Sequence, residues 1–178
     1  MLLASPSDML RHVRVMPGMK IADFGAGSGA YASVLLDKIG DEGQVYALDA
    51  LPQSLESIRR AALSRNKRCM TVCTDFEDEL PLRDNLLDLA VVANTLHGVD
   101  PQRRPHFVSE LHRVVVPGGQ VLVLDWAGSF ENMGPPAPLV MTPIDAVRLF
   151  RSQGFETSTM LPAGTHHYAF VATEPKTP

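Results

Sequence analysis

Cysteine is scarce: Cys69 and Cys73 are the only two in 178 residues, which excludes a disulfide-built scaffold. Both fall in one apolar stretch, Arg68 to Cys73. On a strand, residues four apart share a face but lie about 13 Å from each other, too far to bridge. They read as a thiol pair for a soft metal or metalloid, or as two small buried hydrophobes, and burial is the expectation. No apolar run approaches the ~20 residues of a membrane helix, so no membrane span is expected. The opening Met-Leu-Leu-Ala is too short for a leader's apolar region and follows no basic residue, so a cytoplasmic protein is expected. Basic excess is lacking as well. Sixteen Lys and Arg stand against 20 Asp and Glu, for a net charge of −4, and no nucleic-acid partner is expected from that balance. Repeats are absent, as is low complexity outside a Gly/Pro-rich stretch from Ala127 to Pro143. His166-His167 has no third ligand nearby in sequence, and no metal site is expected.

What remains is an ordinary apolar content of 45%, enough for one domain over residues 1–178 with a proper core. Residues 1–17 hold an N-terminal helix, Ser5 to Val15, with Ser5 as N-cap and Pro6 at its first position. Over 18–126, short apolar strands alternate with amphipathic helices. The strands are one that begins at Ile21, Gln44 to Leu48, Arg68 to Cys73, Leu86 to Ala93, and Gln120 to Trp126 after a Pro117-Gly118-Gly119 turn. The intervening helices carry Tyr31, Val34, Leu35 and Ile39; then Leu55, Ile58, Ala61 and Ala62; then Phe107, Val108, Leu111 and Val114. That alternation predicts an α/β fold, a doubly wound parallel sheet covered on both faces. After the loop at 127–143, residues 144–178 supply a last helix, Asp145 to Gln153. Two strands follow, Phe155 to Leu161 and His167 to Thr173, joined too closely for a parallel crossover. They predict an antiparallel hairpin at the sheet edge.

In such a sheet, ligands bind outside the carboxyl ends of the strands. Those ends carry Asp23, Asp49, Asp75, Asn94 and Asp125, one polar residue after each of five apolar strands. Any one of them suits a helix cap; five in succession suit convergent groups in a crevice. The first is followed by Gly25-Ala26-Gly27-Ser28-Gly29, whose glycines permit positive φ and close approach of a ligand to the backbone. Gly25-x-Gly27-x-x-Ala30 satisfies the dinucleotide fingerprint, and Asp49 stands where a ribose-binding acid belongs. Asp23 argues the other way, because a carboxylate beside a pyrophosphate turn repels it. A nucleoside without phosphates and with a cationic group fits better, and Asp75 suits an adenine amino group.

These motifs resemble those of class I S-adenosylmethionine-dependent methyltransferases over nearly the whole chain. Asp23 to Gly29 is similar to the family's first motif, whose turn holds the methionine portion. Val45 to Asp49 is similar to the second, whose acid takes the ribose hydroxyls. Thr74-Asp75-Phe76 occupies the adenine position, Asn94-Thr95-Leu96-His97 resembles the segment that floors the site, and Val114 to Gly119 resembles the turn before strand five. Within the family the chain resembles small members related to the ubiquinone/menaquinone-biosynthesis group. Asp125-Trp126 followed by Gly134-Pro135-Pro136 is similar to a stretch in mostly uncharacterised bacterial and archaeal members. The resemblance implies a Rossmann-like sheet of seven strands with one antiparallel, and S-adenosyl-L-methionine as cofactor with S-adenosyl-L-homocysteine as product. It implies cofactor contacts from Asp23, Gly25, Ala26, Gly27, Ser28, Gly29, Tyr31, Asp49, Ala50, Asp75, Phe76, Asn94 and Leu96.

The reaction it implies is in-line displacement of a methyl group onto an unidentified acceptor, expected to be a small molecule. Positioning and water exclusion supply most of the catalysis there. His97, after strand four, is the candidate general base, with Asp125 and Trp126 as candidate acceptor contacts. Tyr31 either closes over the methionine end or faces the core, and Trp126 either stacks on substrate or packs under the loop. Met133 and Met141 either line a lipophilic pocket or pack locally. The loop at 127–143 leaves strand five on the ligand side and is expected to border the acceptor. With one helix read before strand one, no separate cap is expected, and either the loop or a second subunit of a homo-oligomer is expected to cover the acceptor, or the site to be open. Arsenite methylation is disfavoured, with Cys69 and Cys73 standing alone. Two alternatives stay open: a non-catalytic adenosylmethionine-binding interaction domain, and a nicotinamide-dependent oxidoreductase, weakened by Asp23.

Overall fold

The computed structural model describes residues 5–131 and 133–176; positions 1–4, read above for a leader, lie outside them. Apolar strands without alternation need cover on both faces, and the chain provides it by returning each strand through a helix. In order the elements are α1 (Pro6–Met9), β1 (Lys20–Phe24), α2 (Ala30–Lys38), β2 (Gln44–Asp49), α3 (Pro52–Ser64), β3 (Cys69–Cys73), β4 (Leu87–Ala93), α4 (Arg104–Val114), β5 (Val115–Trp126), α5 (Pro143–Ser152), β6 (Glu156–Thr157) and β7 (His167–Thr173). The sheet has seven strands in the order β3-β2-β1-β4-β5-β7-β6. The first five run parallel, and β7 runs antiparallel between β5 and β6. The chain steps outward from β1 to β3, then returns to the far side of β1 as β4. That reversal opens a crevice above β1 and β4.

Each face of the sheet has its own core. One packs Phe24, Phe107, Phe150 and Phe170 under α4 and α5, with Phe76 stacked on Phe107 at 5.3 Å and Phe24 edge-on to Phe107 at 5.8 Å. The other packs Ile21, Leu35, Ile39 and Leu89 under α1, α2 and α3.

Four expectations need correction. The N-terminal helix is shorter than Ser5 to Val15. Ser5 does cap it, accepting from Asp8 N–H, but α1 gives way to a 3₁₀ turn at Leu10–His12 and an extended Val13. Arg14 N–H donates instead to the Gln120 side chain at 3.0 Å, so the chain is committed to β5 rather than to another helical turn. The Pro117-Gly118-Gly119 turn lies inside β5 as a bulge: Leu87 pairs with Val115 and Leu89 already with Gln120, and Gly118 sits at φ +80°. The strand from Phe155 to Leu161 shrinks to Glu156–Thr157 plus a single bridge from Leu161 to Ala169, because Phe155 turns into the core. Cys69 and Cys73 are not both buried: Cys69 is half-buried and Cys73 exposed, since β3 is an edge strand.

The segment before β4 is held by charge. Glu110, buried on α4, accepts from Leu80 N–H at 2.8 Å and pairs with Arg113 at 2.6 Å. The Arg113 hydrogen bond holds the Glu110 carboxyl below its usual range. Glu110→Ala strands the buried Leu80 N–H, while Arg113 keeps Asp84 and the Leu80 and Leu82 carbonyls; it is expected to cost about 1–3 kcal/mol in urea unfolding. A loss no larger than that of an exposed surface substitution would contradict this.

Candidate functional site

The glycine turn after β1 is built from backbone geometry that side chains disfavour. Gly25, Gly27 and Gly29 sit at φ +69°, +49° and +79°, and a Cβ on Gly25 would run into Thr95. Gly25 N–H and Ala26 N–H both donate to Leu48 O, at 2.9 and 3.0 Å, which moors the turn to β2. Gly29, the N-cap of α2, lies against Ile58 of α3 with no room for a side chain.

Asp49, at the end of β2, ties two turns together. One oxygen accepts from Gly27 N–H and the other from Leu51 N–H, both at 2.8 Å. Each oxygen keeps a lone pair for a ligand. Asp23, at the end of β1, lies behind the turn and is 2% exposed. Its one donor among the described residues is Ala32 N–H at 3.0 Å. Burial raises its carboxyl from 3.8 to about 7, against the Ala32 bond and with the help of nearby Asp49. A carboxylate so placed is short of a cation.

These ends surround a cleft of about 390 Å³, lined by Gly25, Asp49, Ala50, Leu51, Asp75, Phe76, Glu77, Asn94, Thr95, Gly98 and Val99. It lies across the carboxyl ends of β1 to β4, at the reversal of strand order. Its polar groups sit beside an apolar strip of Leu51, Phe76 and Val99, the mixture a nucleoside needs. Asp75 is exposed there and stiffened by accepting from Glu77 N–H at 3.0 Å. Asn94 projects from a positive φ of 55°. A larger hollow of about 530 Å³, at the opposite end of the sheet around Gly40 to Gln44 and Asn66 to Arg68, shares none of these residues.

Beside the cleft stands a pair that sequence reading named separately. Asp125, at the end of β5, is buried, and its Oδ1 lies 2.7 Å from His97 Nδ1. Its carboxylate also accepts from His97 N–H at 3.2 Å and Trp126 N–H at 2.7 Å. With acceptors on that side, Nδ1 carries the proton and Nε2 presents its lone pair. The His97 side chain is 24% exposed.

Other expected site residues are placed elsewhere. Leu96 is wholly buried beneath the cleft, since the turn after β4 folds its side chain into the core. Tyr31 packs into the core under α2; burial and then Asp23 raise its hydroxyl. Ala26, Gly27, Ser28 and Gly29 carry the turn beyond the cleft lining. Trp126 points to the sheet face opposite Asp125, where it packs on His167 at 4.3 Å and is covered by Gly134. Met133 is exposed and Met141 packs against the core.

Two contributors stand outside the expected site residues, Thr95 having been named only within the floor segment. Thr95 donates to Phe24 O at 2.7 Å and fills the space that Gly25 leaves. Arg104, buried on α4, donates to Val99 O at 3.1 Å and Leu139 O at 2.7 Å, tying the loop of 127–143 to the cleft rim. Thr95 is the polar residue next to Asn94, a signal available in principle; Arg104 left none.

The fold, with the likenesses that follow, is that of an adenosylmethionine-dependent methyltransferase. Residues 21–119 match the model of the methyltransferase-domain family, over more than half of the chain. A SAM-dependent methyltransferase of Aquifex aeolicus superposes with a TM-score of 0.84 at 25% identity, over 96% of this chain and 90% of that one. The ubiquinone/menaquinone biosynthesis C-methyltransferase of Cupriavidus necator is 31% identical over 113 residues, 64% of this chain and 45% of that protein. An uncharacterised methyltransferase of Mycobacterium tuberculosis is 35% identical over 115 residues, 65% of this chain and 42% of that protein. The chain thus spans under half the length of these two curated relatives. It belongs to the class I S-adenosylmethionine-dependent methyltransferase family, and adenosylmethionine is its cofactor. No helix among the described residues is long and apolar enough to cross a membrane.

The raised Asp23 carboxyl has a sign that can be tested without any ligand. Between about pH 4 and pH 7 the folded chain keeps a proton that the unfolded chain has lost. Stability from this group is therefore full at low pH and declines as pH rises through about 7, at up to about 1.4 kcal/mol per pH unit. Urea melts of wild type and Asp23→Asn across that range should diverge, with the variant gaining on wild type as pH rises. Parallel curves would contradict the buried, unpaired carboxyl.

Proposed function

We propose that the chain transfers a methyl group to a small-molecule acceptor carrying an ionisable O–H or N–H, with His97 as general base and Asp125 as its orienting partner. The observation that carries this reading is the 2.7 Å His97–Asp125 contact beside the cleft. Asp23 fits the cofactor's cationic aminoacyl end, Asp49 its ribose hydroxyls, and Asp75 with Phe76 and Val99 its adenine. The fit rests on what these groups are short of: a cation for Asp23, which lies behind the turn outside the cleft lining, and donors for the remaining lone pairs of Asp49 and Asp75. Bound adenosylmethionine supplies a methyl group made electrophilic by its sulfonium.

The protein's own work is alignment and proton transfer. Asp125 fixes the imidazole by two contacts, to Nδ1 and to the backbone N–H of the same residue. Nε2 then takes the proton from the acceptor's nucleophilic atom, and the partly exposed ring passes it to solvent. Arg104 holds the loop at Leu139 to Val99 at the rim of the cleft. The name of the Cupriavidus relative directs the first acceptor screen to the small molecules of ubiquinone and menaquinone biosynthesis.

Labelled methyl transfer from adenosylmethionine to fractionated cell extract identifies the acceptor. With that acceptor, His97→Asn should lower kcat by about 10²–10⁴-fold and shift the pH–rate profile, with adenosylhomocysteine affinity unchanged. Asp125→Asn should reproduce part of the loss by favouring the wrong tautomer. Full activity in His97→Asn would remove the base; binding of adenosylhomocysteine with no labelled product in any fraction would favour a non-catalytic domain.

A further inference from the structure

The two edges of the sheet are finished differently. At β6 the ladder is two residues long, and the Ser158 hydroxyl replaces a backbone acceptor by taking Val171 N–H at 3.0 Å. β3, at the other edge, runs five residues without proline, charge or bulge, the devices that blunt a free edge. None of its residues is buried, and Met70 is 50% exposed. Thr74 N–H donates to Asp49 O, so Thr74, Val72 and Met70 direct their backbone groups at β2. Successive residues of a strand direct theirs to opposite sides, which leaves Cys69, Thr71 and Cys73 with N–H and C=O groups facing outward.

Charge around this edge selects the occupant. Lys67 and Arg68 enter β3, and Asp75, Glu77, Asp78 and Glu79 follow it. An antiparallel second copy sets each basic end against the other's acidic end, whereas a parallel copy sets like against like. Arg68 has no ion-pair partner among the described residues. Lys67 reaches only exposed Asp41, at 3.3 Å, a contact worth little. We propose that β3 pairs antiparallel with β3 of a second copy of this chain, about a two-fold axis at Thr71. In this register Lys67 of one copy lies opposite Asp75 of the other, Met70 opposite Val72, and Cys69 opposite Cys73. The sheet then continues through both copies, with the two clefts on opposite ends of the assembly. Edge pairing buries less than a standard interface, so the dimer is concentration-dependent.

The cysteines make the register testable. Opposed hydrogen-bonded residues of an antiparallel pair have Cα atoms about 5.5 Å apart, within disulfide reach; Cys69 and Cys73 of the same strand are about 13 Å apart. Diamide, which oxidises two thiols to a disulfide while becoming a hydrazine, is added to the purified chain at about 100 μM, where an edge-paired dimer is populated. An equal mixture of Cys69→Ser and Cys73→Ser should give a linked dimer on a non-reducing gel, and each variant alone should give at least tenfold less. Thr71→Pro removes an outward N–H and leaves the β2 ladder intact. It should abolish the dimer in sedimentation while retaining the wild-type circular dichroism. Failure of the mixture to link, equal linking by either variant alone, or a monomer at every concentration would overturn the proposal. None of these outcomes depends on methyl transfer.

Discussion

A carboxylate sealed behind a glycine turn with one backbone donor is the constraint on which the site depends. Moving an ion of that kind out of water costs several kcal/mol, and the folded chain answers by raising the Asp23 carboxyl to about 7 rather than by supplying a cation. The turn in front of it cannot be rebuilt with side chains, because Gly25 lies against Thr95 and Gly29 against Ile58. Asp49 completes the arrangement by accepting from both turns at once, so the first and second strand ends are tied together. The result is a rigid wall with an unmet demand for positive charge, which distinguishes it from a turn that cradles phosphate.

The proposed reacting end is organised by a different device. Asp125 is saturated by three donors, and two of them belong to His97, so the imidazole has one orientation and one free nitrogen. β4 and β5 are neighbours with their carboxyl ends level, and that adjacency brings together groups 28 residues apart in the chain. Arg104 couples the same region to the loop, spanning from Val99 to Leu139. The wall of the cleft and the proposed base, His97, thus stand side by side at the carboxyl ends of the strands.

Much of this was legible because it is local. The strand periods, the Asp23 to Gly29 turn and the polar residue at each strand end are written within a few positions of one another, and the seven-stranded sheet followed them. The rest depended on neighbours that the chain does not place nearby. Thr95 matters through Phe24 O and Gly25, about seventy positions away. Leu96 reads as a site residue by position and Tyr31 as either a site or a core residue; packing turns both side chains into cores. The exposure of Cys73 follows from strand order, since an edge strand and an interior strand have the same apolar look. Trp126 and Asp125 are adjacent in sequence and separated by the sheet, as alternation requires.

Calorimetric titration of wild type and Asp23→Asn with adenosylhomocysteine and with NADH, between pH 6 and pH 8 around the Asp23 transition at about 7, tests the central claim most directly. Adenosylhomocysteine binding should be saturable, tighten as Asp23 ionises, and be weak and pH-independent in Asp23→Asn, with no NADH binding. Saturable binding of NADH alone, or identical adenosylhomocysteine affinities for the two proteins across that range, would contradict it.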